Sequence, residues 1–266
     1  MCANTWGYSS WARRIMFEST IGSQFKYCSS VFAHVLCLRR NSQLLLRIQR
    51  LYCVNICRGY RTISQDAALV LAKTPPLDLV VIARSYLYCI THRIRFHPPS
   101  NLLPSPLRRL KLASLTPKPT YLLCNTDVTL SKSHTKDILR GRVLSCWQTR
   151  WECADKGATT RFLIPDIPSY LNSPVDPNFY LTQILSGHGN FQSYLFKFHI
   201  SRSSSCPCGH PDETSLHLLF HCPLLSDIRP RIDFPLYPPS ILQPDFISFC
   251  MEVISAQYTR YSPSIT

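Results

Sequence analysis

The hydrophobic positions of this chain recur mostly at helical spacing. Between residues 41 and 58, the apolar side chains fall within one arc of a helical wheel and predict a helix with one buried face: Leu45, Ile48, Tyr52 and Ile56. Ser64 is a favourable N-cap for a second helix over 65–71, and a proline pair at 75–76 precedes a third helix over 77–90. The first part of the chain is therefore predicted to form a small helical bundle.

Helical spacing returns in the second part of the chain. A helix is predicted over 131–153, where Trp147 and Trp151 are four residues apart. This spacing favours packing in a core over a platform for base stacking. Shorter helices are predicted over 179–185 and 190–199. The fold class predicted from these patterns is mainly α.

Three features of the pattern leave alternatives open. Residues 20–40 are mostly apolar and fit either a helix or a strand followed by a helix, while 160–167 fits a short strand or an extended arm. His188 lies between two glycines. A turn whose glycines take positive φ and whose imidazole makes a local hydrogen bond is preferred here over a catalytic histidine.

Proline-rich stretches divide the chain, which has 21 prolines against 8 glycines in 266 residues. Six of these prolines lie between residues 97 and 120, so we place a boundary there. The predicted organisation is an unassigned N-terminal segment, a helical region, a Pro-rich basic linker, a second helical region with a cysteine-rich knuckle at 206–222, and a Pro-rich tail: 1–19, 20–96, 97–130, 131–225 and 226–266.

Positive charge is concentrated in the first part of the chain. The net charge is +14; residues 1–112 hold sixteen Lys and Arg against three acids, whereas residues 113–266 hold thirteen against twelve. A basic half joined to a neutral half favours a polyanionic partner, RNA or DNA. The alternative is a solvated basic surface that has no partner.

Four arginines fall within a second arc of the first helical wheel, away from the apolar stripe: Arg47, Arg50, Arg58 and Arg61. A row of guanidinium groups can contact phosphates along a nucleic-acid backbone, which gives affinity without reading sequence. We predict that these arginines bind nucleic acid, with an ordinary solvated face as the alternative.

Residues 206–222 have the spacing of a metal knuckle, Cys-x-Cys-x8-His-x4-Cys. Zinc favours tetrahedral sets of thiolate and imidazole ligands, with two ligands on a tight turn and two on or after a helix. The predicted ligands of a Zn²⁺ ion are Cys206, Cys208, His217 and Cys222. Because four protein ligands leave no open position for water, the site is predicted to be structural.

Two alternatives remain open at this site. His221 lies four residues after His217, on the same predicted helical face, and competes with Cys222 as the fourth ligand. In a chain with 13 cysteines, the proximity of three of them to one histidine can also be a coincidence.

Cysteine usage and hydropathy indicate the compartment. The 13 cysteines are scattered and odd in number, and the N-terminal residues lack the apolar run of a signal peptide, so an intracellular location in nucleus or cytoplasm is expected. No stretch approaches the roughly 18–20 consecutive apolar residues of a membrane helix, so no membrane partner is expected.

Two ordered series of peptides resemble the reverse transcriptases of arthropod non-LTR retrotransposons. The first resembles the region just after the polymerase palm and reads LRIQR at 46–50, GYRTIS at 59–64, ALVLA at 68–72 and PPLDL at 75–79. The second resembles the C-terminal region and reads WQ at 147–148, KG at 156–157, IP at 164–165 and LTQILSGHGNF at 181–191. The resemblance implies a helical thumb over 20–96 that holds the primer–template duplex. It also implies a terminal zinc knuckle with the ligands Cys206, Cys208, His217 and Cys222.

The resemblance implies a parent with RNA-directed DNA polymerase activity, yet the residues for that activity are missing from this sequence. A polymerase holds two metal ions with carboxylates that include adjacent aspartates, and the only adjacent acids here are Asp212 and Glu213, inside the knuckle. We therefore predict a truncated, non-catalytic portion that binds RNA or DNA. The alternatives are an incompletely captured part of an active polymerase and a zinc-dependent protein-interaction module.

Overall fold

The computed structural model describes residues 7–92, 132–230 and 244–261. The described part is mainly helical and contains no β-strand, so the predicted mainly α fold class is confirmed. We number its α-helices in chain order: α1 Ser10–Phe17, α2 Ser23–Tyr27, α3 Ser29–Phe32, α4 Arg39–Ile56, α5 Gln65–Leu71, α6 Leu77–Thr91, α7 Lys132–Glu152, α8 Ala158–Leu163, α9 Ile167–Asn172, α10 Phe179–Ser186, α11 Gln192–Lys197, α12 Ser215–Phe220 and α13 Pro244–Tyr261. A π-helical turn occupies Glu18–Gly22, and 3₁₀ turns occupy Ala33–Cys37 and Pro223–Leu225.

The chain folds into two compact units, each assembled from separate stretches of sequence. Unit 1 consists of Met1–Arg14, Cys53–Thr74 and Ala154–Thr266, and unit 2 consists of Ile15–Tyr52 and Pro75–Cys153. This grouping differs from the linear order predicted above, because part of the predicted region 20–96 belongs to the same unit as the C-terminal region. The linker predicted at 97–130 lies outside the described residues, so the predicted domain boundaries remain a prediction.

Helix α6 is the centre of unit 2 and packs against α3, α7 and the first 3₁₀ turn. Leu79 and Val81 of α6 are fully buried, and Trp147 and Trp151 of α7 are 2% and 1% exposed. Full burial of a large apolar side chain contributes about 1.5–3 kcal/mol, so both tryptophans stabilise unit 2. The prediction that this pair packs in a core is confirmed.

A buried polar network surrounds Asp78 in the first turn of α6. Arg150 of α7 donates two hydrogen bonds to Asp78, from Nη1 to Oδ1 at 2.9 Å and from Nη2 to Oδ2 at 2.8 Å. Ser42 of α4 donates from Oγ to Oδ2 at 2.8 Å. Because Asp78 is 2% exposed, its charge depends on these partners. The network therefore fixes how α4 and α7 approach α6.

The buried stripe of α4 differs from the predicted one. Leu45 and Ile56 are buried as predicted, but Ile48 and Tyr52 are 43% and 39% exposed, while Gln49 is fully buried. The predicted core face is therefore wrong at two of its four positions.

The side chain of Gln49 explains this difference. Its amide donates from Nε2 to the Pro75 carbonyl at 2.9 Å and accepts at Oε1 from the backbone N–H of Leu77 at 2.8 Å. Both ends of the buried amide are thus satisfied, which removes the usual cost of burying it. Helix α4 consequently turns this polar residue toward the core and leaves Ile48 toward solvent.

Helix α5 lies in the core of unit 1, and its residues from 67 to 71 are buried. Ser64 begins this helix as predicted, because its Oγ accepts a hydrogen bond from the backbone N–H of Ala67 at 3.3 Å. The buried Tyr170 of α9 donates from its hydroxyl to the Leu71 carbonyl at 3.3 Å. This bond satisfies the polar end of a side chain that is otherwise packed as an apolar one.

The segment predicted as a strand or extended arm at 160–167 forms no strand: it contains the end of α8, a non-helical connection at 164–166 and the first residue of α9. Gly157 precedes α8 with a φ of 82°, in the left-handed region that favours glycine. Asp166 caps α9 by accepting from the backbone N–H of Ser169 at 2.8 Å. Each helix has six residues, which is too short to show a helical period in the sequence. Residues 20–40, which were ambiguous, form short helical pieces.

The Pro-rich tail predicted from residue 226 contains a long helix, α13. Its apolar residues pack in unit 1 against α10 and α12 and are buried: Phe246, Phe249, Cys250, Val253 and Ile254. Their spacing of three and four residues is a helical signal that the sequence carries. The prolines that suggested an irregular tail lie at or before the first residue of this helix. None of the helices in the described residues is long and apolar enough to cross a membrane.

Candidate metal centre

A tight turn in unit 1 presents the first two cysteines of the knuckle. The backbone N–H of Gly209 donates to the Cys206 carbonyl at 2.9 Å, and the N–H of Cys206 donates to the His210 carbonyl at 2.8 Å. Gly209 has a φ of 95°, a conformation that residues with a Cβ rarely adopt. The turn therefore places Cys206 and Cys208 on one short, hydrogen-bonded loop.

Helix α12 positions the other two residues. Thr214 caps the helix, because its Oγ1 accepts from the backbone N–H of His217 at 3.0 Å. His217 lies in the middle of α12, and the backbone N–H of Cys222 donates to the His217 carbonyl at 2.8 Å just beyond the helix end. The cap and this last bond hold the imidazole and the third thiol in a fixed relation.

The structure brings all four predicted ligands together. Their ligand atoms lie within 4.8 Å of one another: Cys206, Cys208, His217 and Cys222. The Cys206 and Cys222 sulfurs are 3.8 Å apart, and Cys208 Sγ lies 3.3 Å from His217 Nε2. Two sulfurs bound at about 2.3 Å to one tetrahedral ion are about 3.8 Å apart. The Cys206 and Cys222 sulfurs therefore already have the separation that a shared tetrahedral ion requires.

His221, the alternative fourth ligand, lies outside this group. Helix α12 ends at Phe220, so His221 no longer shares a helical face with His217. It is exposed, whereas Cys222 is fully buried beside Cys206.

Arg229 braces the end of the knuckle, and the sequence reasoning missed it. Its guanidinium donates from Nε to the Leu219 carbonyl at 2.7 Å and from Nη2 to the Cys222 carbonyl at 2.6 Å. The last carbonyls of a helix have no partner within the helix and attract cations. The sequence carries one signal for this role, an arginine shortly after a predicted helix end. Arg229 lies seven residues after Cys222.

The electrostatics of the cluster favour a bound cation. Burial raises the pKa of the Cys206 thiol, so its thiolate needs a positive neighbour. A backbone hydrogen bond from His210 lowers the pKa of Cys208, and burial lowers the pKa of His217. A neutral imidazole and a stabilised thiolate are the forms that bind metals.

Two further observations concern His217 and its surroundings. The ring of His210 stacks on the ring of His217 with centroids 4.2 Å apart. Nδ1 of His217 is buried and has no hydrogen-bond partner in the described part of the chain. Nε2 is the nitrogen that faces Cys208. A hydrogen bond from a second partner at Nδ1 would therefore fix the orientation of the imidazole ring.

Glu213 ties the knuckle to the rest of unit 1. Its fully buried carboxylate accepts from the backbone N–H of Gln192 at 3.2 Å and lies 3.8 Å from Nη1 of Arg260. Its backbone carbonyl accepts from the Ser193 hydroxyl at 2.7 Å. Helices α11 and α13 are therefore attached to the residue that precedes the helix cap, so the knuckle is part of the core of unit 1.

The four arginines predicted to bind nucleic acid do not form one row on a helix. Arg47 is exposed and Arg50 is half-buried on α4, but α4 ends at Ile56 and Arg58 and Arg61 lie beyond it. Arg58 takes a φ of 56°, and its Nη2 donates to the Tyr8 carbonyl at 2.8 Å. Arg58 therefore holds backbone in unit 1, while Arg61 lies exposed in a turn.

His188 lies in a turn, as predicted, but of its two flanking glycines Gly187 takes positive φ and Gly189 does not. Gly187 has a φ of 70°, and Nδ1 of His188 is 3.0 Å from Thr62 Oγ1, while its ring packs 5.1 Å from that of Tyr194. Burial lowers the pKa of the imidazole. The hydrogen bond is long-range in sequence and not local, so His188 joins two stretches of unit 1.

Comparison with curated proteins finds Pol polyproteins of retrotransposable elements. The chain is 30% identical over 230 residues to a retrovirus-related Pol polyprotein from type-1 retrotransposable element R1 of Bradysia coprophila. It is 27% identical over 232 residues to a putative 115 kDa protein in type-1 retrotransposable element R1DM of Drosophila melanogaster. A Pol polyprotein from element R1 2 of Nasonia vitripennis is 27% identical over 229 residues. No family model and no solved structure matches the chain.

The matched regions cover most of this chain but only part of each relative. They span 84–85% of the chain, whereas they make up 20% of the first two relatives and 50% of the third. The chain therefore aligns with one portion of a longer polyprotein in each case. The similarity to non-LTR retrotransposon polyproteins that the peptide series indicated is confirmed.

Proposed function

Because this chain is homologous to Pol polyproteins of type-1 retrotransposable elements, we propose that it is the thumb and zinc-knuckle portion of such a polyprotein. In this proposal it binds RNA or DNA and does not catalyse polymerisation. The observation that carries the proposal is the convergence of three cysteines and one histidine in a chain with these relatives.

Zinc is the ion that this ligand set suits best. Three thiolates and one imidazole are the ligand types of structural zinc sites, and they are softer than the oxygen ligands that Mg²⁺ or Ca²⁺ prefers. The bound ion would join the turn at 206–210 to helix α12. Its role is structural, since all four coordination positions come from the protein.

The nucleic-acid part of the proposal rests on charge. The first 112 residues carry the excess of positive charge, and Arg47 and Arg61 are exposed. In this mechanism the guanidinium groups neutralise phosphates and release counterions, which gives affinity without sequence preference. Arg47 and Arg50 are the residues of α4 that we assign to phosphate contact, whereas Arg58 contributes indirectly by holding backbone.

Polymerase activity, in this proposal, belongs to the parent polyprotein. The chain has no adjacent pair of aspartates, and phosphoryl transfer by two metal ions depends on closely spaced carboxylates. No disulfide joins any of the ten cysteines whose side chains the structure describes, which agrees with a reducing location in nucleus or cytoplasm.

Binding measured against salt concentration tests the nucleic-acid mechanism. The parent chain should bind a duplex with an affinity that falls steeply as salt rises, and Arg47→Gln with Arg50→Gln should lower the slope by about 1.8. Lys156→Gln with Arg202→Gln, which removes two exposed charges from the neutral part of the chain, is the matched control and should bind as the parent does. Affinity that is insensitive to salt would contradict phosphate contact.

Two alternative functions have support. An incompletely captured active polymerase agrees with the short share of each relative that the chain spans. A zinc-dependent protein-interaction module agrees with the exposed apolar residues before the knuckle, Phe196, Phe198 and Ile200. Recovery of a protein partner that survives nuclease treatment and is lost on zinc chelation would favour the interaction module.

A further inference from the structure

Two adjoining cavities on unit 2 form a trough between α6 and α7. Each has a volume of about 460 Å³, and they share Lys26, Arg84, Leu87 and Lys136. The α6 wall includes residues 80, 84, 87 and 91, and the α7 wall includes residues 132, 136, 139 and 143. These spacings follow single faces of both helices, so the trough runs along an ordered groove of one compact unit.

The trough is strongly basic. Among the residues that the structure describes, its lining includes Lys26, Arg84, Lys132, Lys136 and Arg140 and no acidic residue. Two of these cations have acidic neighbours, because Lys26 pairs with Glu18 and Arg140 lies 3.6 Å from Asp137. The remaining three cations are Arg84, Lys132 and Lys136. Cations that line a concave surface attract a polyanion more strongly than scattered surface lysines do, because the low-dielectric walls focus the field.

Aromatic rings stand beside these cations. Tyr27 is 87% exposed and Tyr88 is 43% exposed, and both line the more polar of the two cavities. The Tyr88 ring packs on His92 with centroids 4.3 Å apart, which holds that ring in place. An exposed ring within a basic groove is the arrangement on which unpaired bases stack.

We propose that this trough binds single-stranded RNA or DNA. The phosphates contact Arg84, Lys132 and Lys136, and a base stacks on the more exposed ring, that of Tyr27. The inference rests on the proposed function, but it assigns a site that is separate from the arginines of α4. It also names the strand type, because only an unpaired base can offer its face to a side chain. The adjoining apolar cavity, lined by Val80, Leu139 and Val143, accommodates the edge of the next base.

Fluorescence anisotropy of the full chain tests this site, with a labelled 12-nucleotide single strand and a 12-base-pair duplex at several salt concentrations. Arg84→Gln with Lys136→Gln should weaken single-strand binding about tenfold and lower the salt slope by about 1.4. Tyr27→Ala should weaken single-strand binding by about tenfold with the salt slope unchanged, and Tyr27→Phe should retain binding. Lys156→Gln with Arg202→Gln should behave as the parent.

The outcomes separate this inference from the proposed function. If the parent binds neither oligonucleotide in a salt-dependent way, the proposed function fails and the trough assignment fails with it. If the parent binds but the trough variants match it, only the trough assignment is overturned. Equal weakening of single strand and duplex by Tyr27→Ala overturns the single-strand assignment, as does tighter binding of a labelled polyglutamate peptide than of the single strand. A thermal melt of each variant that matches the parent establishes that folding is intact.

Discussion

The carboxylate of Asp78 can remain charged in the core of unit 2 because Arg150 pairs with it. The carboxylate is 2% exposed and accepts two hydrogen bonds from Arg150. Arg150→Met would leave a buried charge without its main partner, so we expect a loss of about 3–5 kcal/mol in the free energy of unfolding. Urea denaturation measures this loss.

A second variant tells whether the charge itself is responsible. Asp78→Leu combined with Arg150→Met removes both charges, and replacement of a buried pair by apolar groups is often close to neutral. The double variant should therefore be more stable than Arg150→Met alone. A double variant as unstable as the single one would show that packing, and not the unpaired charge, explains the loss.

The buried thiol of Cys57 makes the free energy of unfolding fall as pH rises above 9. Burial raises the pKa of this thiol from 9.0 to about 12. The folded state keeps a proton that the unfolded state loses above pH 9, so the stabilisation is complete below pH 9 and declines as pH rises toward 12. Each group of this kind contributes a slope of about 1.4 kcal/mol per pH unit within that window.

The measurement is the free energy of unfolding between pH 8 and 10.5 under reducing conditions, for the parent and for Cys57→Ala. Burial also raises the pKa of Cys250 and of Tyr170, so the parent curve contains more than one group. Above pH 9, the free energy of unfolding of Cys57→Ala should fall less steeply with pH than that of the parent. A constant cost of the smaller side chain shifts the whole curve and does not change its slope. Parallel curves would contradict the role of Cys57.

Residue-level predictions from the sequence succeeded where a local rule decides and failed where a distant partner decides. Ser64 and its cap bond involve residues three apart, so the sequence contains the whole signal. The burial of Gln49 depends on Pro75 and Leu77, which are 26 and 28 residues away. No pattern within α4 contains that information, and for this reason Ile48 was placed in the core.

At the scale of elements, α4 carries an apolar face that the described part of unit 2 leaves exposed. Leu44, Ile48 and Leu51 are 47%, 43% and 67% exposed. Ile48→Gln with Leu51→Gln should change the free energy of unfolding by less than about 0.5 kcal/mol, because both side chains lie on the exposed side of the helix. The same variant should lower self-association, since exposed apolar patches promote it.

Sedimentation velocity and urea denaturation check these two expectations. Leu45→Ala is the control on the buried side of the same helix, where the side chain is 5% exposed, and it should cost about 2–5 kcal/mol. A large loss of stability in the Ile48 and Leu51 variant would place this face inside the folded structure instead.

The bounds of several helices followed from the sequence, because caps, prolines and apolar spacing act within a few residues. Helices α5, α6, α7 and α10 begin and end within about two residues of the prediction. Helices α8 and α9 were missed, because six residues give fewer than two turns of periodic signal. Helix α13 was missed because the preceding prolines dominated the interpretation of the tail.

At the scale of the whole molecule, the two compact units cut across the order of the sequence. Residues 53–74 belong to a unit with residues beyond 154, although the sequence places them inside the first helical region. Such a grouping depends on contacts between residues that are far apart in the sequence. The hydrogen bond from Tyr170 to the Leu71 carbonyl is an example. By contrast, the candidate metal centre spans 17 residues, from Cys206 to Cys222, and ligand spacing predicted its members with one alternative, His221, left open at the fourth position.

The zinc content of the purified chain tests the central claim most directly. Elemental analysis should find one equivalent of zinc in the parent, in His221→Ala and in a Cys28→Ser, Cys153→Ser control whose two thiols are exposed. A Cys206→Ser, Cys208→Ser variant should lose the ion together with a large part of its thermal stability, because structural zinc contributes directly to folding. A folded parent without zinc, or a variant that keeps both zinc and stability, would contradict the account.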